Sequence, residues 1–241
     1  MAKKSDIKYK DLAEKVSKSY RSNPNLIGII WIGSSSFGIT DDMTDIDIRL
    51  ICAHKDTKFH MKQFTKEGIK IEVDQIDIEW LRQKLEPDSD QFWIREKAKI
   101  LYDPHDVLKK EFYKLNKIDR KAYAKILWSI YKDIFHSYDF EKSIKRNDLM
   151  TSRMYVFKSI NALSKFAFIY HEKPVPTFKW RWHFIKKYRL LRNSFIEQLK
   201  TIDLKNSDKS FNLIKNIEKQ AQLMMLKKGY SSKLVHEPWL F

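Results

Sequence analysis

The hydrophobic pattern changes character once along the chain, near Pro104. Upstream, short apolar runs alternate with helical spacing. Residues 5–22 predict an amphipathic helix, with Ile7, Leu12, Val16 and Tyr20 near helical spacing and a stop before Asn23-Pro24. Leu26 to Ile32 is a continuous apolar run rich in β-branched residues, the pattern of a fully buried strand. The stretch Gly33-Ser34-Ser35-Ser36-Phe37-Gly38 predicts a turn that opens a short helix. A second strand is expected over Asp45 to Cys52, whose first half alternates acid and isoleucine. A helix is expected over 56–67, a strand over Ile69 to Ile78, helices over 79–86 and 89–98, and a last strand over Lys99 to Tyr102.

Downstream the strand signal vanishes. Helices are expected near 106–116, 120–140, 147–171, 178–190 and 208–229. Tyr123, Ile126, Leu127, Ile130 and Ile134 form one core stripe, and Met154, Phe157, Ile160, Leu163 and Phe166 a second. The expected fold class is α+β: a mixed sheet with flanking helices over residues 1–104, then an all-helical domain over 105–241.

Charge sharpens that division. Of 47 basic and 31 acidic residues, 18 of each lie in residues 1–103, so 29 basic and 13 acidic remain beyond. The net charge of +16 therefore belongs to the second half. Such an excess suits a polyanionic partner, and it equally suits lysine-rich, solvated helix faces. A 43% hydrophobic chain with only five glycines can bury a core. The start, MAKKSDIKYK, lacks the apolar centre of a signal peptide, and no apolar run is long enough to span a bilayer. A cytoplasmic chain without membrane contact is expected. Cys52 is the only cysteine, which excludes an intrachain disulfide, and the seven histidines show no zinc spacing. No phosphate-binding Gly-x-x-x-x-Gly-Lys, no Gly-x-Gly-x-x-Gly and no Gly-x-Ser-x-Gly occurs.

The candidate chemistry lies in the order strand, Gly33-Ser34, spacer, Asp45-Ile46-Asp47-Ile48. Phosphoryl transfer needs donors for phosphate oxygens and divalent cations that offset charge on both reacting groups. Gly33 leaves room for a close approach, and Ser34 offers a hydroxyl. Ser35 is a second nucleotide-binding candidate, with helix capping as its alternative. Asp45 and Asp47, two apart on a strand, point to one face with backbones roughly 7 Å apart. Carboxylates so placed suit a hard cation such as Mg²⁺. Glu72 and Asp74 share a face of the next strand, and either can supply a third metal ligand or the general base. Arg49 lies on the Asp47 face, ready to bind phosphate or to pair with Glu72 or Asp74. Alternating charges also mark an ordinary solvated sheet face; the joint arrangement favours chemistry.

The segment IGSSSFGITDDMTDIDIRLI resembles the signature of the DNA polymerase β-type nucleotidyltransferase superfamily. VDQIDIEWL resembles the third-acid strand of its small bacterial members, which implies Asp74 beside Asp45 and Asp47 as metal ligands. Ile71-Glu72-Val73 resembles the aminoglycoside adenylyltransferase branch, which implies Glu72 instead. AKILYDPHDVL is similar to the segment that closes the catalytic domain in many relatives. Arg146-Asn147-Asp148, a long helix, then Pro176-Thr177-Phe178-Lys179-Trp180 resemble the helical domain of antibiotic nucleotidyltransferases. That likeness implies triphosphate contacts from Lys179 and Arg146. Phe178 to Arg189 also mixes aromatic and basic residues as a nucleic-acid surface does, or as a helix with an aromatic inner and basic outer face does.

Together these features imply a nucleotidyltransferase with two Mg²⁺ ions as cofactor. A nucleoside triphosphate, ATP expected, is held across a cleft between the halves, and a nucleoside monophosphate passes to an acceptor hydroxyl. An aminoglycoside or lincosamide antibiotic is the first acceptor, although a basic domain suits a cationic drug poorly. A tRNA or other RNA is the second and a protein hydroxyl the third. A catalytically inactive nucleotide- or RNA-binding module is the rival from another class. The chain is expected as a monomer or homodimer.

Overall fold

The computed structural model describes residues 4–54, 56, 58–115, 120–200 and 206–236. Two compact units divide the chain, Met1–Leu85 with Gln91–Ile118 and Glu86–Asp90 with Asp119–Phe241.

The first unit is built on a five-stranded sheet. Its strands are β1 (Leu26–Ile32), β2 (Ile46–Cys52), β3 (Lys62–Lys66), β4 (Ile69–Asp77) and β5 (Lys99–Tyr102), in the order β3-β4-β2-β1-β5. β1 runs antiparallel to β2 and β5, β3 antiparallel to β4, and β2 parallel to β4, so the sheet is mixed. Helix α1 (Lys4–Lys18) seals one face: Tyr9, Leu12 and Val16 pack with Trp31, Ile46, Ile48, Leu50, Ile71 and Val73. Ile7, expected in that stripe, is 52% exposed, and Tyr9 holds the buried position instead. On the other face, Ile30, Ile32 and Ile51 meet Leu108 of α5 (Val107–Leu115) and Leu81 of α3 (Glu79–Arg82). Gly28 admits this packing, since a methyl group there would stand 2.5 Å from Leu108 and 2.6 Å from the Tyr102 carbonyl. The strand signal stops at Pro104, yet the first unit runs on through α5.

Among the described residues of 56–67, the expected helix is absent. β3 takes its place, joined to β4 by Glu67-Gly68, both at positive φ (54° and 77°). A two-residue turn with two positive φ values matches the twist of a hairpin. Lys-Gln-Phe-Thr-Lys is mostly polar because β3 is an exposed edge strand.

The second unit is helical among the described residues. It comprises α6 (Arg120–Lys132), α7 (Ser137–Lys145), α8 (Leu149–Tyr170), α9 (Phe178–Lys187), α10 (Asn193–Lys200), α11 (Ser207–Lys227) and α12 (Ser232–His236). In sequence, α4 (Asp90–Lys97) follows α3 and precedes β5. α8 packs against α6, α7, α9 and α11. All five residues of the stripe beginning at Tyr123 are buried. The single helix expected over 120–140 is two, because the Glu218 carboxylate accepts the Ser137 amide at 2.8 Å and caps a new start. On α8 the expected stripe is wrong at its beginning: Met154 and Phe157 are exposed. The buried line runs through Ser152, Val156, Ser159, Leu163 and Phe166. Small serines let neighbouring helices approach closely, and a search for apolar positions passes over them. No helix among the described residues is long and apolar enough to cross a membrane.

Candidate active site

β1 and β2 lie antiparallel, so the end of one meets the start of the other, and Ile32 sits opposite Asp47. The chain leaves β1 through Gly33 at φ +80° into α2 (Gly33–Ser36). A methyl group at Gly33 would fall 2.1 Å from Asp47 Oδ2. The Gly-Ser bend thus opens directly onto an aspartate carboxylate. Ser35 secures it: its hydroxyl donates to the Asp45 carbonyl at 2.7 Å and accepts from Trp31 Nε1 at 3.1 Å. The Ser36 hydroxyl donates to the Gly33 carbonyl at 2.8 Å. Both serines are therefore used internally. Ser34 is buried at its edge, and its hydroxyl makes no hydrogen bond among the described residues.

Asp45 lies just ahead of β2 and Asp47 within it. Ile46, Ile48 and Leu50 point under α1, so alternation turns Asp47 and Arg49 to the opposite face, with Asp45 two residues before Asp47. Parallel pairing extends that face across β4. Glu72 stands opposite Asp47, and Asp74 opposite Arg49. Of the two candidate third acids, Glu72 is thus the lateral neighbour of Asp47. Arg49 Nη1 pairs with Asp74 Oδ2 at 3.4 Å, yet this buried nitrogen has no hydrogen-bond partner among the described residues. The contact is electrostatic and leaves a donor unsatisfied.

Lys70 was not singled out from the sequence. Its ammonium donates to Glu72 Oε1 at 2.7 Å, beside Gln63 Nε2 at 2.9 Å. The Glu72 hydrogen bond, then the charges of Glu72, Asp45 and Asp47, hold Lys70 above the ordinary lysine value. A cation therefore already answers the negative face. The signal was present in the period-two pattern, which puts Lys70 on the same face as Glu72 and Asp74.

Among the described residues, no three His, Cys, Asp or Glu side chains converge as a ready metal cage. Two oxygen-donor carboxylates on one face, beside a bend with a spare hydroxyl, fit Mg²⁺ in the mode where substrate phosphates and water complete the shell.

The other candidates lie in the second unit. Arg146 is exposed and ends α7, Asn147 takes φ +56°, and Asp148 caps α8 by accepting the Thr151 amide at 3.0 Å. The Asp148 and Asn147 amides reach back to the Ser143 and Ile144 carbonyls, so the Arg-Asn-Asp run builds a helix-to-helix turn. Lys179 is exposed with its ammonium 5.8 Å from the Trp180 ring. The inner face of α9 is only partly aromatic. Its buried side is Arg181, Phe184 and Ile185, with Arg181 bonded to the Pro176 carbonyl and Asn161 and 3.4 Å from Asp90, while Phe178 is exposed.

No protein-family model and no curated protein sequence matches the chain. Among solved structures, the chain is similar to a nucleotidyltransferase-like protein from Exiguobacterium sibiricum 255-15. The TM-score is 0.50 at 11% identity, over 89% of this chain and 76% of that one. At this identity the likeness speaks for architecture alone: the fold is α+β, a mixed sheet with helices followed by a helical region.

Proposed function

We propose that the chain is a Mg²⁺-dependent nucleotidyltransferase whose site is the sheet face bearing Asp45, Asp47 and Glu72. One observation carries the reading: Gly33, at positive φ, admits the Asp47 carboxylate into the space where a side chain would stand. An ordinary solvated sheet face has no need of a positive-φ glycine seated on an acid.

Asp45 and Asp47 would hold Mg²⁺, which would supply charge neutralisation at the reacting phosphates. The Ser34 hydroxyl donates to a phosphate oxygen. Arg49, with its unsatisfied Nη1, offers a second donor to the nucleotide. Glu72 takes the acceptor hydroxyl's proton. The hydroxyl oxygen then bonds to the α-phosphorus, the bond from that phosphorus to the bridging oxygen breaks, and pyrophosphate leaves. Lys179 and Arg146, both exposed cations, are proposed as further triphosphate contacts, and ATP as the donor. Asp74, paired with Arg49, is the alternative third acid.

The proposed acceptor is a hydroxyl on a small molecule of the aminoglycoside or lincosamide kind. The concentration of net charge beyond residue 103 favours a second reading, an RNA acceptor. Incubating the protein with α-labelled triphosphates and fractionated cell extract tests both. Label is expected in one acceptor fraction with wild type and absent with Asp47→Asn. Equal labelling by that variant would remove the proposal.

A further inference from the structure

The second unit holds a pocket that none of the residues assigned to nucleotide transfer lines. The ends of α8 and α9, the start of α10 and the last turns of α11 enclose about 450 Å³. Its wall is of two kinds. Leu190, Leu191, Leu223 and Met224 supply an apolar surface, while Arg189, Arg192 and Lys227 supply positive charge. None of these three cations joins an ion pair among the described residues. Three acids on or beside these elements are engaged already: Glu172 lies 3.8 Å from Lys228, Glu197 bonds Lys200 at 2.6 Å, and Glu218 caps α7.

The backbone shapes this division. Arg189 stands at φ +53° just past α9, where glycine is the usual residue. Its amide bonds the Lys186 carbonyl, and the Leu190 amide bonds the Ile185 carbonyl, at 3.1 and 3.0 Å. That turn buries Leu190 and Leu191 and leaves Arg189 and Arg192 exposed at the mouth. A left-handed arginine costs on the order of 1 kcal/mol, a strain that persists where the surroundings impose it. The wall also carries His171, whose imidazole is held below its ordinary value by burial first and then by Lys173, Lys228 and Lys227. The field inside is positive.

We infer that this pocket binds a small organic anion. An apolar or aromatic body lies on the leucines and Met224, and a phosphate or carboxylate meets Arg189, Arg192 and Lys227. The volume is within the range of sites for such ligands, and a planar guanidinium suits either anion in a bidentate manner. The inference stands on the second unit alone and holds whether or not the sheet face transfers nucleotides.

Calorimetry on the full chain with phenyl phosphate, benzoate, benzyl alcohol and inorganic phosphate tests it. Saturable binding of phenyl phosphate or benzoate is expected, and which of the two binds tighter identifies the anion. Benzyl alcohol and inorganic phosphate are expected to bind at least about tenfold more weakly, since each lacks one half of the recognition. Arg192→Gln, and separately Leu223→Asp at an exposed position, should each weaken the organic anion by about tenfold or more. NMR should show the His171 imidazole moving towards its ordinary value when the anion is seated. Four results would each overturn the inference: no saturable binding at millimolar concentration, equal binding of inorganic phosphate, affinity unchanged in both variants, or an unmoved His171.

Discussion

A methyl group at position 33 would meet Asp47 Oδ2 at 2.1 Å, so glycine and aspartate constrain each other. Gly33→Ala must displace the carboxylate and also hold alanine at φ +80°, a strain of about 1–3 kcal/mol. In the proposed site, turnover should fall about a hundredfold or more, because a small misplacement of a reacting group costs that much. A steady-state assay checks it, with circular dichroism to confirm the fold. Glu72 and Asp74 are separable in the same way. The register sets Glu72 beside Asp47, whereas Asp74 faces Arg49. Glu72→Gln is expected to lower the single-turnover rate by about 10²–10⁴, the range for a general base, and Asp74→Asn by roughly tenfold or less. The reverse order would assign the third acid to Asp74. The sequence made both acids legible as residues on one face. It left the choice open, because register is fixed by the partner strand and not by β4 itself. Lys70 is equally legible as a residue of that face, yet a lysine among acids has the pattern of a solvated strand.

At the scale of elements, the strands that carry the site were plain in the sequence. Leu26–Ile32 is a single buried apolar run, and the Asp-Ile alternation marks β2. β3 was not, since an edge strand need not be apolar. Its one local signal is Glu67-Gly68, a turn easily taken for the end of a helix. Likewise, the break between α6 and α7 depends on Glu218, 81 residues away from the amide that it caps. Such non-local caps leave no mark in a hydrophobic pattern. Gly28 has a similar long-range cause. Gly28→Ala drives a methyl group into the Tyr102 carbonyl and Leu108, and overpacking of that kind costs about 1–3 kcal/mol. Urea unfolding followed by tryptophan fluorescence should show the loss; an unchanged midpoint would mean that β5 and α5 yield freely.

For the whole molecule, acid should weaken the helical unit before the carboxylates titrate. Partial desolvation, more than the neighbouring lysines that aid it, holds His136, His171 and His183 below the ordinary value of 6.5. A depressed histidine is neutral in the fold, so its stabilisation is complete above pH 6.5. Below that, the unfolded chain takes up protons first, and stability is lost as pH falls towards the folded values. The melting temperature is expected to drop between pH 7 and 5.5, and His136→Gln should flatten the drop. A constant melting temperature over that window would contradict the histidine environments. The charge division was readable from residue counts alone, yet its consequence for a partner was not, because solvated lysines and a polyanion surface share one composition. The central claim is that Asp45 and Asp47 hold a metal against a nucleotide. Its most direct test is calorimetric titration of a non-hydrolysable ATP analogue with and without Mg²⁺, for wild type and the Asp45→Asn, Asp47→Asn double variant. Binding that needs Mg²⁺ and disappears in the double variant is the expected result; equal affinity without the metal, or in the variant, would contradict it.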